Sequence, residues 1–584
     1  MKRYFAIIII VLTLFAADAA RGQDAGAAPS PTPRNADKQN VSPEDLKGIP
    51  AIAPNYRSNE RSLPDLGRVG VDITQQRSLT LRDTIELALE NNDDIEITRK
   101  SFRSAEFDVK AARGFYQPRL AGQAYYDRTT SPNVSIFSTN TTTTQGTFLG
   151  NAAVTGYVPK FGTVLTGSLN NSTITTNNPI SILSPQESSS LGFSLVQPLF
   201  RGRAFDQQRR SIEIAKKNTE ISDVQFRQRS IEVITLAEKA YWDLTFALRN
   251  LQVQRDSLRD AKEQLAHNRR LVDDGQLAPM DIVAAETQVA NFEQSVYDAL
   301  NSANQAENGL KALIASKRTD PIWAESITPV DPVDIDTPRT TITEAMDTAL
   351  KNRPELEINR GLRDINALDQ KLYRDQRRPQ IDLTASYLSS GIGGSLNPSF
   401  SNPFGRTTCA VPTSPDCIAL ENQQRAFLAQ IGGGATAYSD IFQGKYPSFR
   451  VGINFNLPLF GDKTAGALLG KALVEGEKIE TQREQIEQGI QVEVRNALQA
   501  IRTAEARLRA AAISRENSAR LYESEQRKLD SGQSDIYKVL ERQTALTIAR
   551  SGELRARTEL NKAIADLDRA TGTTLKTNNV TPKK

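Results

Sequence analysis

Apolar positions recur with two different periods along this chain, and the changes of period divide it into segments. From Arg203 to Asp274 there is neither glycine nor proline, and Gly202 and Gly275 bracket the stretch, marking where a helix starts and stops. Its second half carries Leu244, Leu251, Leu258, Leu265 and Val272 at heptad spacing, with Ile234, Tyr241 and Leu248 as a companion row. A stripe repeating every ~3.5 residues keeps facing its partner only if the helix supercoils. About 72 residues at ~1.5 Å each predict a rod of ~108 Å. A turn at Asp274-Gly275-Gln276-Leu277-Ala278-Pro279 leads to a return helix. There Ile282, Val289, Val296, Ala303 and Leu310 form one row, and Ala285, Phe292, Ala299, Ala306 and Leu313 the other. Residues ~230 to ~316 read as an antiparallel helical hairpin. Taken alone, the stripe favours a cytoskeletal or scaffolding coiled coil.

The pattern then occurs a second time. Thr80-Leu81-Arg82-Asp83 and Thr341-Ile342-Thr343-Glu344 each open a helix with a capping box. Ala88-Leu89-Glu90-Asn91 matches Ala349-Leu350-Lys351-Asn352, and each helix ends before a proline, Pro118 or Pro379. Gln197-Pro198-Leu199-Phe200 answers Leu457-Pro458-Leu459-Phe460, and a long proline-free helix follows each. Those helices turn at Asp274-Gly275-Gln276 and Ser531-Gly532-Gln533. Between helix and helix the period falls to two. Ile381, Leu383, Ala385 and Tyr387 alternate with polar or small residues, as do Phe449, Val451, Ile453, Phe455 and Leu457. Strands with one apolar and one polar face, joined by polar loops (Thr129 to Gln145; Gly391 to Lys445), fit a transmembrane β-barrel. A soluble half-buried hairpin shows the same alternation. A barrel in lipid must close, and two strands per half are too few, so closure calls for several copies of the chain.

Export tips the choice towards the barrel. Met1-Lys2-Arg3, the apolar run Phe5 to Phe15 and Ala17-Asp18-Ala19 read as a secretory signal peptide, residues 1–19. Residues 20–76 read as a flexible extension rich in Pro, Ala and Ser. The first repeat spans 77–317, with strands about 119–198, the long helix 203–274 and the return helix 280–316. A Pro/Asp-rich connector at 318–340 precedes the second repeat at 341–572. That repeat holds strands about 380–457, a long helix 462–531 and a return helix 535–571, and 573–584 is a polar tail.

Charge and chemistry change the picture little. The 72 basic and 69 acidic residues nearly cancel, which gives no support for a nucleic-acid partner. The lone histidine, His267, reads as a structural residue rather than a metal ligand, since zinc sites gather several His or Cys. No Walker loop, dinucleotide fingerprint, nucleophile elbow or HExxH motif occurs, so no catalytic residue, metal or cofactor is expected. Cys409 and Cys417, the only cysteines, lie in a loop expected to face outside the cell and are expected to form a disulfide. Two free thiols are the alternative.

The duplication, the two Pro-Leu-Phe strand-to-helix signatures and the Gly275 to Glu286 turn together resemble the TolC-like outer-membrane efflux family, over Leu79 to about Gly572. The resemblance implies an α+β membrane protein: a homotrimer forming a β-barrel in the outer membrane, continued by a long α-helical barrel through the periplasm. It implies twelve strands; a further hairpin near Tyr157-Val158-Pro159-Lys160-Phe161-Gly162 would raise that to eighteen. It also implies a passive exit duct for small molecules, working with a periplasmic adaptor protein and an inner-membrane pump of the RND or ABC type. A duct for secreted polypeptides is the runner-up, and a periplasmic scaffold is the alternative from another class. The adaptor is expected at the tips, Gly275, Gln276, Leu277 and Ala278 with Gly532, Gln533 and Ser534. The family's periplasmic gate maps onto Asp281, Lys538 and Glu541, where Lys538 replaces an acid. Lys538 and Glu541 share a helix face, so they are expected either to pair at the mouth or to be an ordinary exposed pair.

Overall fold

The computed structural model describes residues 68–581, except 134–140, 334–336, 401–413, 416–417, 420–421, 423–425, 427–428, 430 and 460. The expected signal peptide and the pair Cys409 and Cys417 lie outside the described residues.

Both repeats begin with a capped helix that breaks into two. Strand β1 (Asp72–Leu79) leads to α1 (Leu81–Asn91). The Asp83 amide donates to Thr80 Oγ1 at 3.0 Å and the Thr80 amide donates to the Asp83 carboxylate at 3.2 Å, a reciprocal box that satisfies two orphan helix donors. Asn92 then interrupts the helix, accepting from the Asp94 amide at 3.0 Å to cap α2 (Asp93–Arg113). In the second repeat Thr341 and Glu344 form the same box ahead of α5 (Ile342–Asn352). There the break comes at Arg353, because Pro354 disfavours helical backbone in the residue before it, and α6 (Pro354–Gln376) follows. The single helix expected in each half is therefore a pair.

Six antiparallel strands form one sheet: β2 (Arg119–Pro132), β3 (Thr142–Val158), β4 (Thr163–Thr176), β5 (Leu183–Pro198), β7 (Gln380–Leu396) and β8 (Tyr446–Asn456), in the order β2-β3-β4-β5-β7-β8. The first repeat thus supplies four strands instead of the two that the family resemblance implies. The additional hairpin turns at Gly162, whose φ of +70° is open to glycine at little cost. Within the supposed loop Gly391 to Lys445, β7 runs on to Leu396 and a helix, α7 (Gly434–Gln443), precedes β8.

Two hairpins of long helices leave the sheet: α3 (Gln207–Asp273) with α4 (Pro279–Ile314), and α8 (Lys463–Asp530) with α9 (Ile536–Thr571). The long helices start at aspartate caps rather than directly after glycine. Asp206 accepts from the Arg209 amide at 2.7 Å and Asp462 from the Ala465 amide at 2.9 Å. The predicted stripes are buried where expected: Ile234, Leu244, Leu251 and Leu258 on α3, Ala285, Phe292 and Ala299 on α4, and Val539, Leu546 and Leu560 on α9. Approaching the turn, burial drifts from Leu265 to Gln264 and Asn268. The hairpins also pack on each other, with Ser257 and Thr547 hydroxyls 2.8 Å apart between α3 and α9. No helix among the described residues is long and apolar enough to cross a membrane.

Part of the expected extension and part of the connector meet at mid-length. Strand β6 (Glu325–Pro329) pairs in parallel with β1. Beneath them Lys311 on α4 is fully buried, donating to the carbonyls of Trp323 at 3.1 Å and Glu325 at 2.6 Å, and pairing with Glu307 at 2.9 Å. The polar tail contributes as well: a short helix, α10 (Thr574–Thr577), precedes Asn578, which donates to buried Glu238 at 2.8 Å.

Candidate functional site

The two helical turns share one backbone geometry. At the end of α3 the Gln276 amide reaches the Leu271 carbonyl at 2.8 Å and the Gly275 amide that of Val272 at 3.0 Å. At the end of α8 the Gln533 amide reaches Lys528 at 2.8 Å and Gly532 reaches Leu529 at 3.0 Å. With φ of +72° at Gly275 and +71° at Gly532, both are Schellman caps that occupy the last helical carbonyls. Gly275, Gln276, Ala278, Gly532 and Gln533 are exposed, and Leu277 and Ser534 are half-buried. Ser534 is tied back by donating to Glu525, which holds that carboxyl below its ordinary range.

Helix entry after the turn is where the repeats differ. In the first, Ala278 caps α4 and has no side chain to offer, so the acid comes from the third helical position: Asp281 accepts from the Ala278 amide at 3.1 Å. In the second, Asp535 is itself the cap and accepts from the Lys538 amide at 3.0 Å. Each turn therefore carries one half of a capping box, and the halves are opposite. Lys538 pairs with Asp535 at 3.0 Å, which lowers the Asp535 carboxyl and raises the lysine. Its expected partner Glu541 is exposed, with Arg542 4.0 Å away. Sequence reading passed over Asp535, although an aspartate just before the first apolar position of a helix is a recognised cap signal.

Glu541 lines a groove of about 450 Å³ between the return helices, together with Met280, Val283, Thr287, Tyr537 and Leu540. Gln288 donates to Thr544 at 2.7 Å across it. His267 Nε2 on α3 lies 3.3 Å from the Asp530 carboxylate of α8, near the turns of the two long helices. No group of His, Cys, Asp and Glu among the described residues could hold a metal ion.

At the other end the sheet has two unlike faces. Paired residues on neighbouring strands share a face, so each row of the register can be followed across all six strands. Leu120, Val154, Gly167, Phe193, Tyr387 and Phe449 make one row. Gln123, Asn151, Asn170, Ser190, Ser390 and Tyr446 make a row on the opposite face, polar but for the ring of Tyr446. Except where α7 lies on β7, the apolar face stands largely bare: Phe449 is 81% exposed and Phe455 70%. Among the described residues, the outer edges of β2 and β8 have no strand beside them. A bare apolar face opposite a polar one is what a wall between lipid and a water-filled lumen requires.

Comparison with known proteins agrees with this geometry. The family described as "Outer membrane efflux protein" matches residues 150–316 and 345–573, more than half of the chain. Among solved structures, the Campylobacter jejuni CmeC outer membrane channel is 16% identical over 89% of this chain and 94% of that one, with a TM-score of 0.57. The Neisseria gonorrhoeae MtrE outer membrane channel, in its open state, is 18% identical over 85% and 89%, with a TM-score of 0.55. The outer membrane protein VceC of Vibrio cholerae is 13% identical over 84% and 96%, with a TM-score of 0.57. At such identities the likeness is one of fold. No curated protein matches. The chain belongs to the outer membrane efflux protein family, and is an outer-membrane channel of TolC-like fold that reaches into the periplasm, not an enzyme.

Proposed function

We propose that three copies of the chain close a barrel of eighteen strands, and that the trimer serves as the passive exit duct of a tripartite system for small molecules. The observation that supports closure by several copies is the pair of free edges among the described residues, and three is the number that the family implies. Six strands is an even number, so β8 runs opposite to β2 and can pair with the next copy's β2 in the antiparallel sense that the rest of the sheet uses. An open sheet in lipid would leave both edges unsatisfied, at several kcal/mol per unpaired group. The helical hairpins, ~100 Å long, continue the wall as a tunnel. The driving force lies with partners, a periplasmic adaptor at Gly275–Ala278 and Gly532–Ser534 and an inner-membrane pump of the RND or ABC type.

Asp281, Lys538 and Glu541 stand near the mouth. Because Lys538 is neutralised by Asp535 within its own chain, the mouth holds less negative field than an all-acid ring and selects cations weakly. The trimer is tested by the native mass of the detergent-purified particle, expected at three mature chains, each the 64.3 kDa chain less its signal peptide. A particle of one or two chains removes the reading, as does release of the protein from membranes by carbonate alone.

A further inference from the structure

Helix α7 sits against the sheet in an unusual place. Its axis follows β7: Ser389 Oγ donates to the Ile441 carbonyl at 2.8 Å, a β-carbon at Gly391 would overlap the Ala437 carbonyl, and one at Gly393 that of Gly433. Two strand glycines thus let the helix backbone lie directly on the strand. Ser389, Gly391 and Gly393 alternate in step with Ile381, Leu383, Ala385 and Tyr387, so the helix lies on the side of the sheet that bears them, beyond its apolar rows and over Ser189 and Glu187 of β5. It begins where the apolar run ends. From Ile381 to Tyr387 that run covers ~20 Å of strand, or ~16 Å along the membrane normal at a tilt of ~40°, short of the ~25 Å apolar band of outer-membrane barrels.

The helix supplies what the strand lacks there. It turns Ala437, Asp440 and Ile441 inward, with Asp440 held by Lys445 at 3.2 Å. Outward it shows Tyr438, 41% exposed, and Phe442, 77% exposed, one turn apart on the same side. Among the described residues Phe442 is left largely uncovered and Tyr438 about two-fifths so. A neighbouring copy is an unsuitable cover, because α7 leans towards β5, where Gly434 approaches Glu187, and away from the free edge of β8.

We propose that α7 is a lipid-contacting helix on the outer wall of the barrel, with Tyr438 and Phe442 placed at the boundary of head groups and acyl chains in the outer leaflet. Aromatic rings collect at that depth because one part of the ring surface is apolar while the surroundings remain wet. Held by Gly391 and Gly393, the helix extends the apolar band past the point where β7 turns to serine and glycine. The inference rests on reading the sheet as a barrel wall, and the experiment separates the two.

Three variants, Phe442→Trp, Phe449→Trp and Leu388→Trp, are reconstituted in phosphatidylcholine vesicles whose acyl chains carry bromine near the head group. Bromine quenches tryptophan only at close range, and the native Trp242 and Trp323 lie in the helical part as a common background. Phe442→Trp and Phe449→Trp are expected to lose emission. Leu388→Trp, on the opposite face through its pairing with Ser448, is expected to keep it. Emission kept at position 442 but lost at 449 overturns the lipid contact and leaves the barrel standing. Emission kept at both removes the barrel wall and the proposal with it. Tyr438→Trp gives the same readout should Phe442→Trp fail to assemble.

Discussion

Asp535 holds Lys538 twice, accepting from its backbone amide at 3.0 Å and pairing with its ammonium at 3.0 Å. A lysine that looked like a lost gate acid is thus the third residue of a helix whose cap has moved to Asp535. In the first repeat the acid sits at the lysine's place, as Asp281, and serves the same backbone end. Asp535→Ala is expected to speed amide exchange over Ile536 to Leu540 while leaving α4 untouched, and exchange mass spectrometry reads both. Lys538→Asp removes the cation from Asp535 and sets a new acid about a turn from both Asp535 and Glu541, three in a row in each copy. In planar bilayers it is expected to create or sharpen block by a trivalent cation, and tight block of the unaltered channel would count against a weakly selective mouth.

New charges at the turns test the adaptor assignment. Leu277→Asp combined with Ser534→Arg is expected to abolish efflux in cells while the detergent-purified particle keeps its native mass. Both caps are made by backbone groups, so the turn itself tolerates either side chain. Undiminished efflux would show that the partner binds elsewhere.

Burial pushes the Glu238 carboxyl up to about 7, with Asp568 and Asp566 adding to the effect and the Asn578 amide opposing it. The sign follows from proton linkage. The folded state binds the proton more tightly than the unfolded chain does, so this contribution is complete below the ordinary value of 4.5 and is lost as pH rises through 7. At about 1.4 kcal/mol for each tenfold gain in proton affinity, the change is on the order of 3 kcal/mol. Thermal unfolding is expected to move to lower temperature between about pH 5 and pH 8, and Glu238→Gln is expected to flatten that dependence. An unchanged slope in the glutamine variant would place the titration elsewhere.

Lys311→Met leaves Glu307 with one cation fewer and strips two carbonyls of their donor. Removing one partner of a buried pair costs roughly 3–5 kcal/mol. The damage is expected to stay local, as new protease cleavage within 318–333 where β6 is tied down, with the sheet still resistant.

Gly391→Ala is expected to lift α7 from the sheet, because the new methyl meets backbone and not a movable side chain. Overpacking of this sort costs about 1–3 kcal/mol. Cleavage within 433–445 is expected to rise while the helical bundle melts as before. Equal resistance in both proteins would show that the helix can shift to make room.

What the sequence by itself determined was whatever repeats locally. The heptad rows of α3 and α4, the capping boxes at Thr80 and Thr341 and the glycine turns at Gly275 and Gly532 all follow from contacts within about a turn of helix, so spacing alone exposes them. The alternation at Ile381 to Tyr387 likewise announced a two-faced strand. Tertiary structure decided the rest. Residues Gly391 and Gly393 look like loop in the bare sequence, and only the helix lying on them shows that they continue β7. Lys311 looks like a surface lysine until the carbonyls of Trp323 and Glu325, brought over it by the β1–β6 pair, accept its hydrogen bonds. The hairpin at Gly162 enters the sheet because β4 finds partners on both sides, a matter of register between segments distant in the chain. Periodicity reports which face a residue presents, but what lies against that face depends on which other segment arrives there.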